Sequence, residues 1–215
     1  MTLQLWGRPS SARTQKVMLA LSELNLTYEF IKASATMGPK GSVSRGKTPY
    51  GIVNTTEYLE KNPNGTIPTI SDEGFILWES NAIVQYLGMK YNPKLFYDAN
   101  IETFSSASRW MMWENNQLIP PMHDLAKHLY RLPENQRDED VVRKSKEKLF
   151  LEFKKVEVQL SKTRFISGDQ WCMGDIPMTI RCHRWNILAK PFANFPNLLR
   201  YYLSLIHISE PTRPY

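Results

Sequence analysis

Asn62-Pro63-Asn64-Gly65-Thr66-Ile67-Pro68-Thr69-Ile70-Ser71-Asp72-Glu73-Gly74-Phe75-Ile76-Leu77-Trp78-Glu79-Ser80-Asn81-Ala82-Ile83 decides the fold. Asn62 to Gly65 is a turn, and Ile67-Pro68-Thr69-Ile70 opens a strand. Asp72-Glu73-Gly74 reads as a hairpin turn and Phe75-Ile76-Leu77-Trp78 as the returning strand. Ser80 can cap a helix whose inner face holds Ile83, Tyr86 and Leu87. The stretch therefore predicts two antiparallel strands followed by a helix.

Upstream, Leu3 and Leu5 alternate with polar neighbours as in a strand. After Gly7-Arg8-Pro9-Ser10-Ser11, the residues Val17, Ala20, Leu21 and Leu24 recur at helical spacing as far as Asn25. Tyr28-Glu29-Phe30-Ile31 is a second strand, so the opening is a βαβ unit with a parallel pair. Residues 33–54 are rich in Gly, Ser, Pro and Lys and read as a long loop, with a short helical turn over 56–59. The order βαβ then ββα is that of a thioredoxin-like domain, placed at 1–88. Residues 89–99, with Asn92-Pro93, read as a linker. Over 100–202 the periodicity is helical only: Trp110, Trp113 and Leu118, then Leu149, Phe153, Val156 and Leu160, then Ile176, Ile180 and Trp185. The expected class is α/β followed by all-α, a thioredoxin-like domain and then a helical bundle.

With 42% hydrophobic and 22% charged residues, the 215-residue chain has a globular composition, which excludes extended disorder. No apolar run approaches the ~20 residues of a membrane span, and the first residues do not form a signal peptide. Cys172 and Cys182 fall in a helical region and are expected to be reduced. There is no CxxC, and the 4 histidines are scattered, so no metal site is expected. A cytoplasmic protein is the expectation. The net charge of +6 is spread along the chain. Its densest run, Arg143 to Lys148, contains Glu147 and follows Asp138-Glu139-Asp140, so it reads as a solvated helix face and no nucleic-acid partner is expected. A mildly basic surface does attract small anions.

Ser10 and Ser11 lie at the junction of the first strand and first helix, where unpaired N–H groups and the helix dipole meet. Either is a helix cap or a donor to a bound thiolate. Lowering a thiol pKa by about two units from ~8.5 takes roughly 2.7 kcal/mol, within reach of one charge-assisted hydrogen bond plus a helix terminus. A disulfide-exchange enzyme would need a cysteine at this junction, and serines stand there. Ile67-Pro68 is either an ordinary edge dipeptide or a cis bond that frees the Ile67 backbone for a peptide ligand. Glu79-Ser80 is either a helix start or a site for an α-amino acid end, Ser80 taking the carboxylate and Glu79 the ammonium. Taken together, these features suit a peptide with a free α-amino acid end and a thiol.

Asn62 to Ile70 with Leu77 to Ile83 resembles the glutathione-binding half of cytosolic glutathione transferases. Trp6-Gly7-Arg8 through Gln15-Lys16-Val17 resembles the start of a bacterial, theta-like, serine-type group. Arg109 to Trp113, Gly168-Asp169, Gly174-Asp175-Ile176-Pro177 and His183-Arg184-Trp185 are similar to the same group. The resemblance implies glutathione as co-substrate without a metal, transfer of its thiolate to a small electrophile, and a homodimer. It implies Ser11 as the catalytic serine, with Ser10 as the alternative. Ile67 beside a cis Pro68 would bind the cysteinyl unit, and Glu79 and Ser80 the γ-glutamyl end. Thr66 stands where the family often carries a basic residue for the glycyl carboxylate. Trp110, Trp113 and Asn116 are the implied lining of an electrophile pocket between the domains. A non-catalytic ligand-binding or interaction protein of the same fold is the alternative function.

Three features depart from the pattern: Met112 where Asp is common, Cys172 where Ser or Thr opens a capping box closed by Asp175, and the length of the 33–54 loop. A thiol in that cap should cost on the order of 1 kcal/mol. Leu203 to Arg213 resembles the translation of a transposase sequencing adapter, and residues 203–215 are expected to be a non-native tail.

Overall fold

The computed structural model describes residues 3–34, 51–189 and 194–209, the last four without their side chains. They divide into two compact units, Met1–Asn92 with Tyr130–Pro133, and Pro93–Leu129 with Glu134–Tyr215.

In the first unit β1 (Gln4–Gly7), α1 (Ala12–Glu23) and β2 (Glu29–Lys32) form the βαβ opening. A 3₁₀ turn at Ile52–Asn54 and α2 (Thr56–Lys61) follow, then β3 (Thr69–Asp72), β4 (Phe75–Trp78) and α3 (Ser80–Tyr91). The sheet order is β2-β1-β3-β4. β1 pairs parallel with β2 and antiparallel with β3, setting Trp6 opposite both Ile31 and Thr69. β3 and β4 form the hairpin, with Asp72 opposite Phe75. Leu5 and Ile70 from the sheet, Val17 and Leu21 from α1, and Ile83 and Leu87 from α3 are fully buried. α1 and α3 pack against each other.

The mixed sheet and its helices match the expected thioredoxin-like class, with local differences. Strand β3 begins at Thr69, because the ladder to β1 is complete at Trp6–Thr69 and Ile67 lies outside it. The expected turn at 56–59 continues to Lys61; Thr55 caps it by accepting from Tyr58 N–H at 3.3 Å. Ser80 is not a cap. The chain must turn sharply out of β4, so Glu79 takes the position before the helix at φ 71°, ψ 112° and Ser80 becomes its first residue. The expected linker 89–99 is mostly helical: α3 runs through Tyr91 and α4 occupies Pro93–Tyr97. Proline suits the first position of a helix, so Asn92-Pro93 starts one element where the sequence reading ended structure. Of the expected 33–54 loop, residues 35–50 lie outside the described residues.

The second unit continues with α5 (Ile101–Trp113), a π-helical turn at Glu114–Leu118, and α6 (Ile119–Ala126). Helices α7 (Glu139–Leu160), α8 (Asp175–Ala189) and α9 (Pro196–Ser209) complete it. Its core joins Leu118, Leu125, Leu149, Phe153, Val156, Cys182, Trp185 and Tyr201. Phe153 and Trp185 stack with ring centroids 3.9 Å apart. Glu157 on α7 caps α9, its carboxylate accepting from Asn197 N–H at 3.0 Å and Leu198 N–H at 2.8 Å. Arg200 on α9 answers by donating to the Leu160 carbonyl at the end of α7, 2.7 Å away. α9 passes through Leu203, the expected start of the foreign tail, and buries Leu205 in the helical core; residues 210–215 of that segment lie outside the described residues.

Candidate active site

The site candidates of the first unit gather at three places: the β1–α1 turn, the entry to β3 and the start of α3. At the first, β1 ends on Gly7, where a Cβ would lie 2.4 Å from the Thr14 methyl carbon. Glycine therefore lets α1 close on the strand. The Ser11 N–H donates to the Arg8 carbonyl at 2.9 Å, which folds the chain into the helix. Ser11 is the N-cap of α1 in an extended conformation, and its hydroxyl oxygen accepts from Thr14 N–H at 3.4 Å. Capping uses a lone pair only, so the same hydroxyl keeps its proton for an acceptor. The two sequence readings of Ser11, cap and thiolate donor, are compatible in one residue. Ser11 is half-buried, whereas Ser10 is exposed, and the Ser10 hydroxyl accepts from Arg8 Nε at 3.0 Å.

At the second place the Ile67–Pro68 bond is cis. Two side chains hold the segment around it. The Tyr58 hydroxyl donates to the Thr66 carbonyl at 2.6 Å and meets the Thr69 hydroxyl at 2.9 Å. Fully buried Asn62 donates to the Thr66 carbonyl and to the Thr69 hydroxyl, each at 3.0 Å. Its own carbonyl oxygen accepts from Asn64 N–H at 3.1 Å, so one carboxamide closes the turn and fixes the strand entry. Burial raises the Tyr58 pKa, against hydrogen bonds from Thr69 and Asn62. Ile67 packs on Trp6, Ala33, Val53 and Tyr58.

At the third place Ser80 is buried at the N-terminus of α3, behind the left-handed Glu79. A non-glycine residue held there carries local strain, a feature common at ligand sites. The next residue, Asn81, accepts from Lys16 Nζ at 3.1 Å, and Lys16 on α1 is fully buried. Sequence reasoning gave Arg8, Lys16 and Tyr58 no role in this region and read Asn62 only as part of its turn. For Lys16 a signal was present: it lies four residues before Ala20, on the inner stripe of α1.

In the second unit, Trp110 and Trp113 meet edge to face with centroids 5.2 Å apart and pack on the helical core. The buried Trp110 Nε1 has no hydrogen-bond partner among the described residues. Asn116 is exposed in the π-helical turn, and Met112 is exposed on α5. That turn begins with Glu114, buried and ion-paired with buried Arg181 of α8, a pair that periodicity alone did not expose. Among the described residues no group of three or more His, Cys, Asp or Glu is arranged to hold a metal. No helix among them is long and apolar enough to cross a membrane.

The family model described as "Glutathione S-transferase, N-terminal domain" matches residues 5–95. Glutathione S-transferase GstB of Escherichia coli K12 is 32% identical over 205 residues, spanning 94% of this chain and 92% of that one. The chain belongs to the glutathione S-transferase family. The theta class glutathione S-transferase of Xanthomonas axonopodis pv. citri, solved with glutathione bound, superposes with a TM-score of 0.84 at 26% identity, covering 100% of this chain and 99% of that one. Glutathione S-transferase I from maize, in complex with an atrazine glutathione conjugate, shares the fold at 22% identity with a TM-score of 0.82, covering 97% of this chain and 94% of that one. The first unit carries Ser11, the cis Ile67–Pro68 bond and Glu79-Ser80 at the ends of separate elements of one sheet-and-helix domain.

Proposed function

We propose that this glutathione transferase activates the thiol of glutathione with the Ser11 hydroxyl and conjugates the sulfur to a small hydrophobic electrophile. The observation that carries the reading is Ser11 itself, whose oxygen caps α1 while its proton stays available at the helix N-terminus. In the reaction the thiol proton leaves to solvent, and Ser11 donates a hydrogen bond to the thiolate. A sulfur–carbon bond then forms as the leaving group departs with its electron pair. Ile67 would align the cysteinyl backbone beside Pro68, Glu79 and Ser80 would hold the γ-glutamyl end, and Ser10 would flank the sulfur. Thr66 adds only a hydroxyl towards the glycyl end, and Asn62 already donates to it at 3.3 Å. Trp110, Trp113 and Asn116 are assigned to the electrophile.

The relatives are named as transferases and two solved neighbours carry glutathione or its conjugate, which supports catalysis over the non-catalytic alternative. A cytoplasmic location and a homodimer belong to the same proposal, the second read by light scattering of the purified chain. The deciding assay is conjugation of glutathione to a generic aryl halide. Ser11→Ala is expected to lower kcat about 100-fold, the size of one lost oxyanion donor, with glutathione affinity little changed. Ser10→Ala should fall less than threefold. Equal losses in the two variants, or none in Ser11→Ala, would contradict the assignment.

A further inference from the structure

Arg8 is 7% exposed and sits within the turn that presents Ser11. Its backbone joins the turn twice: the carbonyl accepts from Ser11 N–H at 2.9 Å, and the N–H donates to the Thr14 hydroxyl at 3.4 Å. Its guanidinium donates from Nε to the Ser10 hydroxyl at 3.0 Å and from Nη1 to the Ser34 hydroxyl, just beyond β2, at 3.1 Å. A planar fork thus ties the serine turn to the neighbouring strand. A guanidinium stays protonated at any working pH, and burial in low dielectric strengthens its field.

The charge along its own segment has one sign. Residues 1–22 contain no Asp or Glu, so Arg8, Arg13 and Lys16 surround the start of a helix whose first turn has no acidic residue. The other charged groups on the packed elements are Glu23 at the end of α1, Glu29 and Lys32 on β2, Asp72 on β3, and Glu79 and Lys90 at and on α3. Lys32 lies opposite Gly7; Glu29 accepts from Gln4, and Asp72 from Lys90, Tyr86 and Tyr91. No histidine or cysteine occurs in residues 1–92, so that stretch has no side chain of the type that ordinarily titrates between about pH 6 and 8.

We infer that Arg8 is a positioning residue of the thiol site, clamping the Ser10–Ser11 turn and supplying a buried positive charge that favours thiolate over thiol. The inference rests on the assignment of Ser11 above.

The test is an ultraviolet titration of thiolate in the glutathione-bound full chain, alongside kcat/KM against pH with an aryl halide. Arg8→Met should raise the bound-thiol pKa by about one unit, as loss of a nearby opposite charge does. Its kcat/KM should fall about tenfold near pH 6.5 and recover towards wild type near pH 9. Arg8→Lys keeps the charge but not the fork, so its thiol pKa should stay within about 0.3 unit of wild type while kcat falls. S-methylglutathione binding and a thermal melt report folding. Should the Met variant not fold, the Lys variant decides: a thiol pKa raised as far as in Ser11→Ala overturns the charge role. A loss in Arg8→Met that is uniform across pH, at unchanged thiol pKa, makes Arg8 purely structural and refutes the inference. Ser11→Ala in the same titration separates the two readings. If it raises the pKa and Arg8→Met does not, only the role of Arg8 fails; if it does not, both fail.

Discussion

Cys172 stands where a hydroxyl would open the capping box ahead of α8. The other half of the box is in place, with Cys172 N–H donating to the Asp175 carboxylate at 2.9 Å. A thiol accepts hydrogen bonds weakly, so Cys172→Ser should raise stability by about 1 kcal/mol and the melting temperature by roughly 2–4 °C, measured by calorimetry. A lower melting temperature would mean that the buried site needs sulfur's volume more than a better cap. Asn62 is the opposite case, a side chain with all its work done at one turn. Asn62→Ala removes the donors to Thr66 and Thr69 and should cost about 2 kcal/mol. It should raise KM for glutathione more than it lowers kcat, because it loosens the entry to β3 and leaves Ser11 alone. At this scale the sequence was legible in position: Ser11, Ile67-Pro68, Glu79 and Ser80 all lie at element ends, and the Ile67–Pro68 bond is cis. Arg8, Lys16 and Tyr58 were not, because a buried polar side chain is defined by partners remote in sequence. Arg8 meets Ser34 and Lys16 meets Asn81 only once the sheet and helices have formed.

Among the elements, α8 and α9 are joined through Asp175. Its carboxylate accepts from Ile166 N–H at 3.0 Å, Cys172 N–H at 2.9 Å and the Tyr201 hydroxyl at 2.7 Å. Burial nevertheless pushes its pKa up to about 6. A carboxyl whose folded pKa exceeds its unfolded value near 3.8 stabilises most when protonated. This contribution is full below about pH 4 and is lost as the pH rises through about 6. Wild type should therefore gain melting temperature relative to Asp175→Asn between about pH 7.5 and 5, by several degrees; parallel pH curves would rule the shift out. Strands β1 and β4 and helices α1 and α3 could be read from period and turn chemistry. α4 could not, because five residues, Pro93–Tyr97, are too few to show a helical period, and Asn92-Pro93 is as good a break as a start. The start of α3 was misjudged for a related reason: Ser80 has cap chemistry, but the left-handed turn falls on Glu79, a residue that composition would not place there.

For the whole molecule, the class α/β followed by all-α was legible because strand and helix periods alternate in the first part of the chain and only helical periodicity remains beyond residue 100. The reactive chemistry is also divided. Both cysteines are free and buried in the helical unit, and burial together with Asp175 pushes the Cys172 thiol up to about 12. Cys182 is raised further for the same reasons. Neither is a nucleophile in the folded protein. Ellman's reagent should find almost no reactive thiol in the native chain and both in denaturant; fast labelling of the native protein would show that the helical core opens. In the proposed reaction the sulfur is that of glutathione. The central claim is that Ser11 makes that sulfur a thiolate near neutral pH, and the direct measurement is the thiol pKa of glutathione bound to wild type and to Ser11→Ala. The wild-type value is expected about two units below that of free thiol near 8.5, returning most of the way in the variant. The same depressed value in both proteins would contradict the claim.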